Sequence, residues 1–320
     1  MNMEIGVIGC GRWGTFIAWY LNKIGHNVLL YGRENSDNMQ ALLKVRSNGV
    51  VTLEKQVGLT TNLKDIKVCD VIVISIGAQG LRGLMKELED LSASEKTYVL
   101  CMKGLEISTG KRLSQIVRES SNLENHIAVW LGPGHVQEFC AGTPNCMVID
   151  SDEEKVKERL VEAFSSDLIR FYYGMDLIGN EIGAAAKNVI GIAAGMLDGF
   201  ALSSLKGALM SRGTREVARL ITAMGGDERS AYGLCHLGDY EATVFSKYSH
   251  NRKYGEMLVK GEVFGSLAEG HYTVKALQLL AERCYCALPI CSAVYEVIYE
   301  KKDAKAALDR LFSRSLKNEF

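Results

Sequence analysis

The chain has 320 residues, of which 47% are hydrophobic, and its 37 basic and 38 acidic residues give a formal net charge of −1. This length predicts two domains with substantial cores, and the balanced charge argues against binding of nucleic acid or of an anionic membrane surface. The nine cysteines contain no C-x-x-C pair, and no apolar stretch is long enough to span a bilayer. We therefore expect a soluble, cytoplasmic protein with reduced cysteines, no metal site, and neither nucleic acid nor membrane as a partner.

A glycine-rich stretch follows the first predicted strand, Met3 to Ile8, and opens a predicted helix, Thr15 to Ile24. Three glycines fit the pattern G-x-G-x-x-G: Gly9, Gly11 and Gly14. The first glycine permits a tight turn, the second lets backbone N–H groups meet a pyrophosphate, and the third allows close packing of helix and sheet. The helix N-terminus adds partial positive charge. The pattern predicts a dinucleotide site, and the alternative is a glycine-rich turn without a ligand.

The second predicted strand, Asn27 to Tyr31, is followed by Gly32 and Arg33. Enzymes that select NAD usually place an acidic residue here, on the ribose 2′-hydroxyl, whereas an arginine can pair with the 2′-phosphate of NADP. In this chain Glu34 follows only after the arginine. We therefore expect NADP(H) to be favoured, with NAD(H) also usable. The alternative is that Arg33 is simply solvated.

Five more strands are predicted before residue 175, and candidate site loops follow two of them. The strands are Val68 to Ile76, Thr97 to Met102, Ile127 to Leu131, Asn145 to Ile149 and Leu168 to Tyr173, with a helix from Asp152 to Ser165 between the last two. Ligands bind beyond the carboxyl ends of strands in open α/β sheets. Lys103 and the loop Gly132 to His135 occupy such positions, so both are candidates for ligand contact.

Only helices are predicted from about Met175 to the C-terminus. Their ranges are Gly179 to Gly199, Lys206 to Met224, Glu256 to Val259, Thr273 to Cys286, Ile290 to Lys301 and Asp303 to Lys317. The predicted fold is therefore α/β: an N-terminal Rossmann-type dinucleotide-binding domain over residues 1–174, followed by an all-α C-terminal domain over residues 175–320.

The helix from Gly179 to Gly199 carries only three charges, Glu181, Lys187 and Asp198, so it is predicted to be buried nearly all round. The residues three and four positions from Lys187 are mostly glycine and alanine. Burial of an unpaired lysine lowers its pKa towards neutrality, which suits a general acid or base. The alternative is a lysine that extends to the surface from a helix end.

Several motifs resemble those of the soluble bacterial NAD(P)-dependent glycerol-3-phosphate dehydrogenase family, in the same order and over almost the whole chain. They are GCGRWGT (Gly9 to Thr15), MKGLE (Met102 to Glu106), GPGHVQEFCAGTP (Gly132 to Pro144), EIGAAAKNVIGIAAGMLDG (Glu181 to Gly199), SRGTREVARLITAMGG (Ser211 to Gly226), GLCHLGDYEAT (Gly233 to Thr243), SHNRKYG (Ser249 to Gly255) and AEG (Ala268 to Gly270). The resemblance implies hydride transfer between NAD(P)H and dihydroxyacetone phosphate or sn-glycerol 3-phosphate. It also implies a role in phospholipid biosynthesis and a homodimer.

The resemblance also implies roles for individual residues. Lys187 would donate and accept the proton, Lys103 would touch substrate and cofactor, and Asp239 would support the catalytic lysine. The implied cofactor contacts are Gly9, Gly11, Arg12, Trp13, Gly14, Arg33, Lys103, Val136 and Glu269. The implied substrate contacts are Lys103, Gly132, Gly134, Lys187, Asn188, Asp239, Thr243, Ser249, His250, Asn251 and Arg252. Protonation of the ketone oxygen as hydride arrives is what this reaction needs from a general acid.

The chain departs from the family pattern at several of these positions. His250 stands where the family has an arginine that binds phosphate, and Gly134-His135 replaces Ser-Phe in the loop after the fifth strand. His236 replaces a glycine, and Glu241 an apolar residue. Arginine is always charged, whereas histidine is mostly neutral at pH 7. Two alternatives therefore remain: a paralogue that uses the same lysine on another small hydroxy or polyol compound, and a non-catalytic dinucleotide sensor. A metal site at the three histidines is a weaker alternative, because no carboxylate–histidine spacing supports it.

Overall fold

The computed structural model describes residues 2–91, 95–120, 124–316 and 318–319. The chain divides into two compact units, each formed by two segments. The first unit comprises Met1–Lys103 and Arg112–Glu181, and the second comprises Gly104–Lys111 and Ile182–Phe320. The domain boundary predicted after residue 174 stays a prediction.

Within the described residues, the first unit contains a sheet of eight strands. They are β1 (Glu4–Ile8), β2 (Asn27–Tyr31), β3 (Gly58–Thr60), β4 (Val71–Ile74), β5 (Thr97–Leu100), β6 (His126–Leu131), β7 (Asn145–Asp150) and β8 (Ile169–Tyr173). Their order across the sheet is β3-β2-β1-β4-β5-β6-β7-β8, and neighbouring strands are parallel except for the antiparallel pair β6 and β7. The predicted Rossmann-type fold is therefore confirmed.

Seven of these strands lie where the sequence predicts them, with ends that shift by at most three residues. The long apolar run around β4 indicates burial on both faces, and all four residues of β4 are indeed buried. Val71 of that strand pairs with Ile5 of β1 on one side and with Thr97 of β5 on the other. β3 was not predicted, because its three residues are too few to show a periodic pattern.

Six helices accompany the sheet among the described residues of the first unit. They are α1 (Arg12–Lys23), α2 (Asp37–Val45), α3 (Leu81–Asp90), α4 (Leu113–Ser120), α5 (Val136–Cys140) and α6 (Glu154–Phe164). α1 and α6 were predicted, whereas α2 to α5, which are five to ten residues long, have no counterpart among the predicted helices. The core of this unit includes a group of buried aromatic side chains: Phe16, Tyr20, Trp130, Phe139 and Phe164.

The later part of the chain is helical, as predicted. Its helices are α7 (Leu177–Gly199), α8 (Lys206–Ala223), α9 (His250–Val259), α10 (Glu269–Arg283), α11 (Pro289–Tyr299) and α12 (Ala304–Phe312). α9 begins six residues before the predicted start, because Ser249 caps it: its Oγ accepts a hydrogen bond from the Arg252 backbone N–H at 3.3 Å. In the part of the chain that the structure describes, no helix combines the length and the apolar character needed to cross a bilayer.

The glycines of α7 let other parts of the second unit approach its backbone closely. A Cβ on Gly195 would lie 1.8 Å from the carbonyl oxygen of Arg252 in α9. A Cβ on Gly191 would lie 2.7 Å from Thr243 Cγ2. α7 is buried throughout residues 179–197, as predicted, and neighbouring protein atoms fill the space beside its glycines.

Candidate functional site

The glycine-rich loop lies between β1 and α1. Gly9 has a φ of +114°, and a Cβ there would lie 2.1 Å from the Ser75 carbonyl oxygen, so a larger residue cannot make this turn. Gly14 lies in the first turn of α1, where a Cβ would lie 1.9 Å from the Gly9 carbonyl oxygen. A Cβ on Gly11 would meet no heavy atom within 4 Å, so the loop is open on that side. The N–H groups that point outward at the start of a twelve-residue helix make this opening suitable for a pyrophosphate.

Three other cofactor candidates lie on helices of the first unit. Arg12 is the exposed first residue of α1. Trp13 follows it and packs its ring against Phe139, with centroids 6.2 Å apart. Val136 begins α5, and its side chain is buried in the core of the unit. A contact of Val136 with a cofactor would therefore involve its backbone rather than its side chain.

Arg33 emerges beside the glycine-rich loop. The preceding residue, Gly32, packs so closely on that loop that a Cβ would lie 2.5 Å from Cys10 Sγ. Arg33 itself is exposed, and so is Glu34. The structure thus places an exposed cation, followed by an exposed anion, at the end of β2, where the adenosine ribose is bound in this type of fold.

Lys103 and the loop after β6 form one group of substrate candidates in the first unit. The Nζ of Lys103 donates a hydrogen bond to the Gly132 carbonyl oxygen at 2.5 Å. Gly134 has a φ of +139°, and a Cβ there would lie 2.3 Å from Phe139 Cε2. The Phe139 ring and the positive φ thus both favour glycine at position 134.

Lys187 is held in the second unit by two polar side chains. It is only 7% exposed, and its Nζ lies 2.8 Å from Asp239 Oδ2 and donates to Thr243 Oγ1 at 2.7 Å. Asp239 ends a short 3-10 turn and is 1% exposed, while Thr243 lies in the π-helical turn Glu241–Phe245. Such turns are frequent at functional sites. Lys187 is therefore a buried, paired ammonium and not a lysine that extends to the surface.

A second polar group of the second unit joins α7, α9 and α10. Asn251 Nδ2 donates to Asn188 Oδ1 at 3.0 Å, and its Oδ1 accepts from the Gly270 N–H at 2.9 Å. Glu269 immediately precedes Gly270 and is the first residue of α10. A negative charge at a helix N-terminus is electrostatically favourable. Three residues predicted from the resemblance are thus brought to one place: Asn188, Asn251 and Glu269.

Arg252 has partners of its own in the second unit. Its Nη1 lies 2.7 Å from Asp198 Oδ2 and 3.2 Å from Glu256 Oε2, and its Nε donates to the Ser246 carbonyl. Asp198 also pairs with Lys206 at 2.7 Å. The guanidinium is therefore bound within a network that the sequence did not predict, because Asp198 and Arg252 are 54 residues apart.

The three histidines at positions of departure have different surroundings. His250, at the start of α9, has its Nδ1 3.1 Å from the Leu267 carbonyl oxygen and its ring edge-on to Phe264. His236 is fully buried, with Nδ1 2.8 Å from the Gly183 carbonyl oxygen and Nε2 2.8 Å from the Tyr240 hydroxyl. His135 precedes α5. Among the described residues, no three His, Cys, Asp or Glu side chains are grouped as metal ligands would be.

Comparison with known proteins agrees with this geometry. Residues 4–157 match the family model described as NAD-dependent glycerol-3-phosphate dehydrogenase N-terminus, and residues 176–309 match the model of the C-terminus. The glycerol-3-phosphate dehydrogenase [NAD(P)+] of Thermotoga sp. (strain RQ2) is 35% identical, with 99% of both chains covered. That of Thermoanaerobacter sp. (strain X514) is 32% identical, again with 99% of both chains covered.

A solved structure shows the same likeness in three dimensions. The crystal structure of glycerol-3-phosphate dehydrogenase from Coxiella burnetii superposes with a TM-score of 0.91 at 26% identity, covering 98% of this chain and 99% of that one. The matched regions include both the glycine-rich loop and the helix that carries Lys187. On these full-length similarities, the chain belongs to the NAD-dependent glycerol-3-phosphate dehydrogenase family of oxidoreductases.

Proposed function

We propose that this protein reduces dihydroxyacetone phosphate to sn-glycerol 3-phosphate with NAD(P)H, and catalyses the reverse oxidation, with Lys187 as proton donor and acceptor. Family membership supports the reaction. One observation supports the residue above all others: a lysine that is 7% exposed, paired with a buried aspartate and a threonine hydroxyl. A catalytically silent dinucleotide sensor would not need this buried pair.

The proposed chemistry assigns a task to each group around Lys187. Bound NAD(P)H supplies the hydride, and the Lys187 ammonium gives a proton to the ketone oxygen as negative charge develops there. Asp239 lies against the ammonium and orients it, while Thr243 fixes the position of Nζ. In the oxidation direction, neutral Lys187 accepts the proton of the C2 hydroxyl. A buried environment strengthens these interactions, because little water screens them.

The remaining substrate contacts are proposed on the resemblance. Lys103 contributes a positive charge that polarises the substrate. The other residues assigned to the substrate are Gly132, Gly134, Asn188, Ser249, His250, Asn251 and Arg252. For Arg252 we assign an indirect role, since its side chain is bound to Asp198 and Glu256.

We assign the dinucleotide to the glycine-rich loop and favour NADP(H) over NAD(H). The loop residues Gly9, Gly11 and Gly14 fit a pyrophosphate, and the exposed Arg33 supplies a cation for the 2′-phosphate. Arg12, Trp13, Lys103, Val136 and Glu269 complete the proposed set of cofactor contacts. The residues of this loop therefore fit the nucleotide, and the preference between its two forms depends on Arg33.

Three broader assignments rest on the resemblance. The protein is proposed to act in the cytoplasm, to supply glycerol phosphate for phospholipid biosynthesis, and to form a homodimer. Sedimentation equilibrium of the purified protein tests the last assignment directly. A single species with the mass of one chain would contradict it.

A second candidate function is favoured by His250. In the phosphate-binding position of the family it offers an imidazole whose Nδ1 lies 3.1 Å from the Leu267 carbonyl, where a guanidinium would offer a fork of donors. This difference favours a paralogue that acts on a small hydroxy or polyol compound and binds phosphate weakly. The first experiment is therefore steady-state kinetics with NADPH against dihydroxyacetone phosphate and against unphosphorylated dihydroxyacetone.

His250→Arg decides between the two substrates. If the substrate carries a phosphate, the added guanidinium should lower the KM for dihydroxyacetone phosphate roughly ten- to a hundredfold, as expected for a gained charge-assisted hydrogen bond. His250→Gln, which keeps a neutral side chain, is the matched control and should give no such gain. An unchanged KM in the arginine variant, with better turnover of an unphosphorylated ketone, would favour the paralogue. A wild-type protein that binds NADPH but reduces no ketone would favour the sensor.

A further inference from the structure

His236 lies next to the segments that carry the lysine and the aspartate assigned to proton transfer, and it is completely buried. It directly precedes the 3-10 turn Leu237–Asp239, and its carbonyl oxygen accepts a hydrogen bond from the Asp239 N–H at 3.0 Å. Its ring reaches the Gly183 carbonyl oxygen at 2.8 Å. In an α-helix that same carbonyl accepts from the amide four residues on, which is that of Lys187. His236 is thus bonded to the turn of α7 that carries the lysine and to the turn that carries the aspartate.

The hydrogen bonds of the ring define its protonation. A carbonyl oxygen can only accept, so Nδ1 of His236 must carry the proton that it shares with Gly183. In a neutral ring Nε2 is then an acceptor, and the Tyr240 hydroxyl, 2.8 Å away, donates to it. The Tyr240 hydroxyl also lies 3.5 Å from Thr214 Oγ1 on α8. The ring therefore links α7, the Asp239 turn and α8 in a single tautomer.

The packing around the ring leaves little freedom for another arrangement. A Cβ on Gly183 would lie 3.0 Å from His236 Cβ, so the absence of a side chain at position 183 lets the histidine approach α7. On the other side, a Cβ on Gly213 would lie 3.3 Å from the Tyr240 hydroxyl oxygen. The Tyr240 ring is edge-on to the imidazole, with centroids 4.9 Å apart, and is itself fully buried.

The charged groups that face this ring are those of the proposed proton transfer. Burial lowers the pKa of His236 to about 4; the bond to Gly183 and the charge of Asp239 oppose this, while the charge of Lys187 adds to it. Glu216 and Cys291 act on the neighbouring Tyr240, whose pKa is raised above its ordinary value chiefly by burial. At pH 7 the ring is therefore neutral. It forms hydrogen bonds but adds no second positive charge beside Lys187.

We propose that His236 is a positioning residue for the reaction, which holds the Asp239 carboxylate against the Lys187 ammonium by bonding the two turns that carry them. This inference rests on the proposed role of Lys187. It predicts that loss of the imidazole lengthens the contact between Nζ and Oδ2. A less well paired ammonium loses its proton at a lower pH, because the carboxylate stabilises the charged form.

The test compares the wild-type enzyme with His236→Ala and His236→Asn. Asparagine retains a donor close to the position of Nδ1 and protects against a variant that fails to fold. For the reduction of dihydroxyacetone phosphate, we expect kcat to fall roughly ten- to a hundredfold in His236→Ala and less in His236→Asn, while KM changes little. We also expect the alkaline limb of the pH profile of kcat to move to lower pH by roughly half to one unit in His236→Ala. Leu220→Ala, a substitution of a buried residue on α8, is the control for a general loss of stability.

A purely structural role would lower the melting temperature in all three variants and leave the alkaline limb in place. That result, with a kcat in His236→Ala close to that of Leu220→Ala, would overturn the proposal. Partial rescue by asparagine, with a shifted limb in alanine, would support it.

A second measurement separates this inference from the proposed function. The ¹³Cε resonance of Lys187, assigned by its loss in Lys187→Met, is titrated in the wild type and in His236→Ala. A lower midpoint in His236→Ala supports the positioning role even if the wild type reduces no dihydroxyacetone phosphate, in which case only the proposed substrate fails. Equal midpoints overturn the positioning role even if the wild type is fully active.

Discussion

Lys187 and Lys206 are both buried lysines of the second unit, and each pairs with an aspartate at less than 3 Å. Their other contacts differ. Lys206 also donates to the Val244 carbonyl at 3.1 Å, and its partner Asp198 is shared with Arg252. Lys206 thus contacts groups to which no catalytic role is assigned, whereas Lys187 is bonded to the hydroxyl and the carboxylate of the proposed catalytic group. The two residues form a natural pair for testing which lysine carries the chemistry.

Lys187→Met should reduce kcat by about a hundredfold or more and leave the dissociation constant of NADPH unchanged, since a general acid usually contributes this much. Methionine keeps the length and apolar part of the side chain but cannot donate a proton. Single-turnover kinetics and fluorescence titration with NADPH measure the two quantities. Lys206→Met is the matched control: it should lower the free energy of unfolding and leave kcat within a few-fold. Turnover by Lys187→Met at the level of that control would exclude the catalytic assignment.

Arg33→Ala should weaken the binding of NADPH roughly ten- to a hundredfold and change the binding of NADH little, because only NADPH has a 2′-phosphate for the guanidinium. Dissociation constants for both nucleotides, obtained by fluorescence, give the preference as a ratio. Arg12→Ala is a suitable comparison, since a contact to the shared pyrophosphate would affect both nucleotides alike. If the ratio in Arg33→Ala equals that of the wild type, Arg33 is only a solvated surface residue.

At the scale of elements, α7 depends on glycine to admit its neighbours. α9 passes so close to Gly195 that a methyl group there would overlap the Arg252 carbonyl oxygen, at 1.8 Å. In the opposite direction, a Cβ on Gly255 of α9 would lie 2.0 Å from the Ile192 carbonyl oxygen of α7. The two helices therefore meet backbone to backbone, which fixes Asn251 against Asn188 at 3.0 Å.

Gly195→Ala should lower the free energy of unfolding by roughly 1–3 kcal/mol, the usual cost of overpacking, because α7 and α9 must separate. Urea denaturation gives this value. Gly207→Ala in α8 is the control, since a Cβ there would meet no heavy atom within 4 Å and alanine favours a helix. That control should be as stable as the wild type or slightly more so. A neutral Gly195→Ala would mean that the contact between the two helices can relax.

The elements that the sequence predicts well are those with a long local pattern. Residues close together in the sequence identify three such features: the strands around the glycine-rich loop, the apolar run of β4 and the charge-poor helix α7. The candidate site was predictable as far as motifs reach: Lys187, Asp239 and Thr243 were named from motifs that resemble the family, and the structure brings them within hydrogen-bonding distance.

What could not be predicted depends on contacts between distant segments. β3 is defined by its pairing with β2, and α9 begins at His250 because the Ser249 hydroxyl caps it. The ion pair of Arg252 with Asp198, and the bond of His236 to Gly183, join residues more than 50 positions apart. No period or spacing in the sequence marks such partners.

For the molecule as a whole, buried ionisable groups make stability depend on pH in opposite directions. Burial raises the pKa of Asp150 and of Glu216, although hydrogen bonds to each carboxylate partly oppose this. A group whose pKa is higher in the folded chain than in the unfolded chain contributes stability that is fully present below its unfolded-state pKa. That stability is lost as the pH rises through its folded-state pKa. His236 has the opposite sign: burial lowers its pKa from 6.5 to about 4. The contribution of His236 to stability is present above its pKa in the unfolded chain and is lost as the pH falls through its pKa in the folded chain.

Because the buried carboxylates and His236 affect stability over overlapping pH ranges, the contribution of His236 is measured as the difference between the wild type and a variant that lacks the imidazole. Between about pH 6.5 and pH 4 the unfolded chain binds a proton at this histidine and the folded chain does not. As the pH falls through that window, the free energy of unfolding of the wild type should decrease more steeply than that of His236→Asn. The difference between the two slopes should be at most about 1.4 kcal/mol per pH unit, the value for one proton. Urea denaturation at a series of pH values gives both curves. Leu220→Ala should run parallel to the wild type, since it removes buried volume and no titrating group. Parallel curves for wild type and His236→Asn would show that the buried imidazole takes up a proton in the folded state as readily as in the unfolded one.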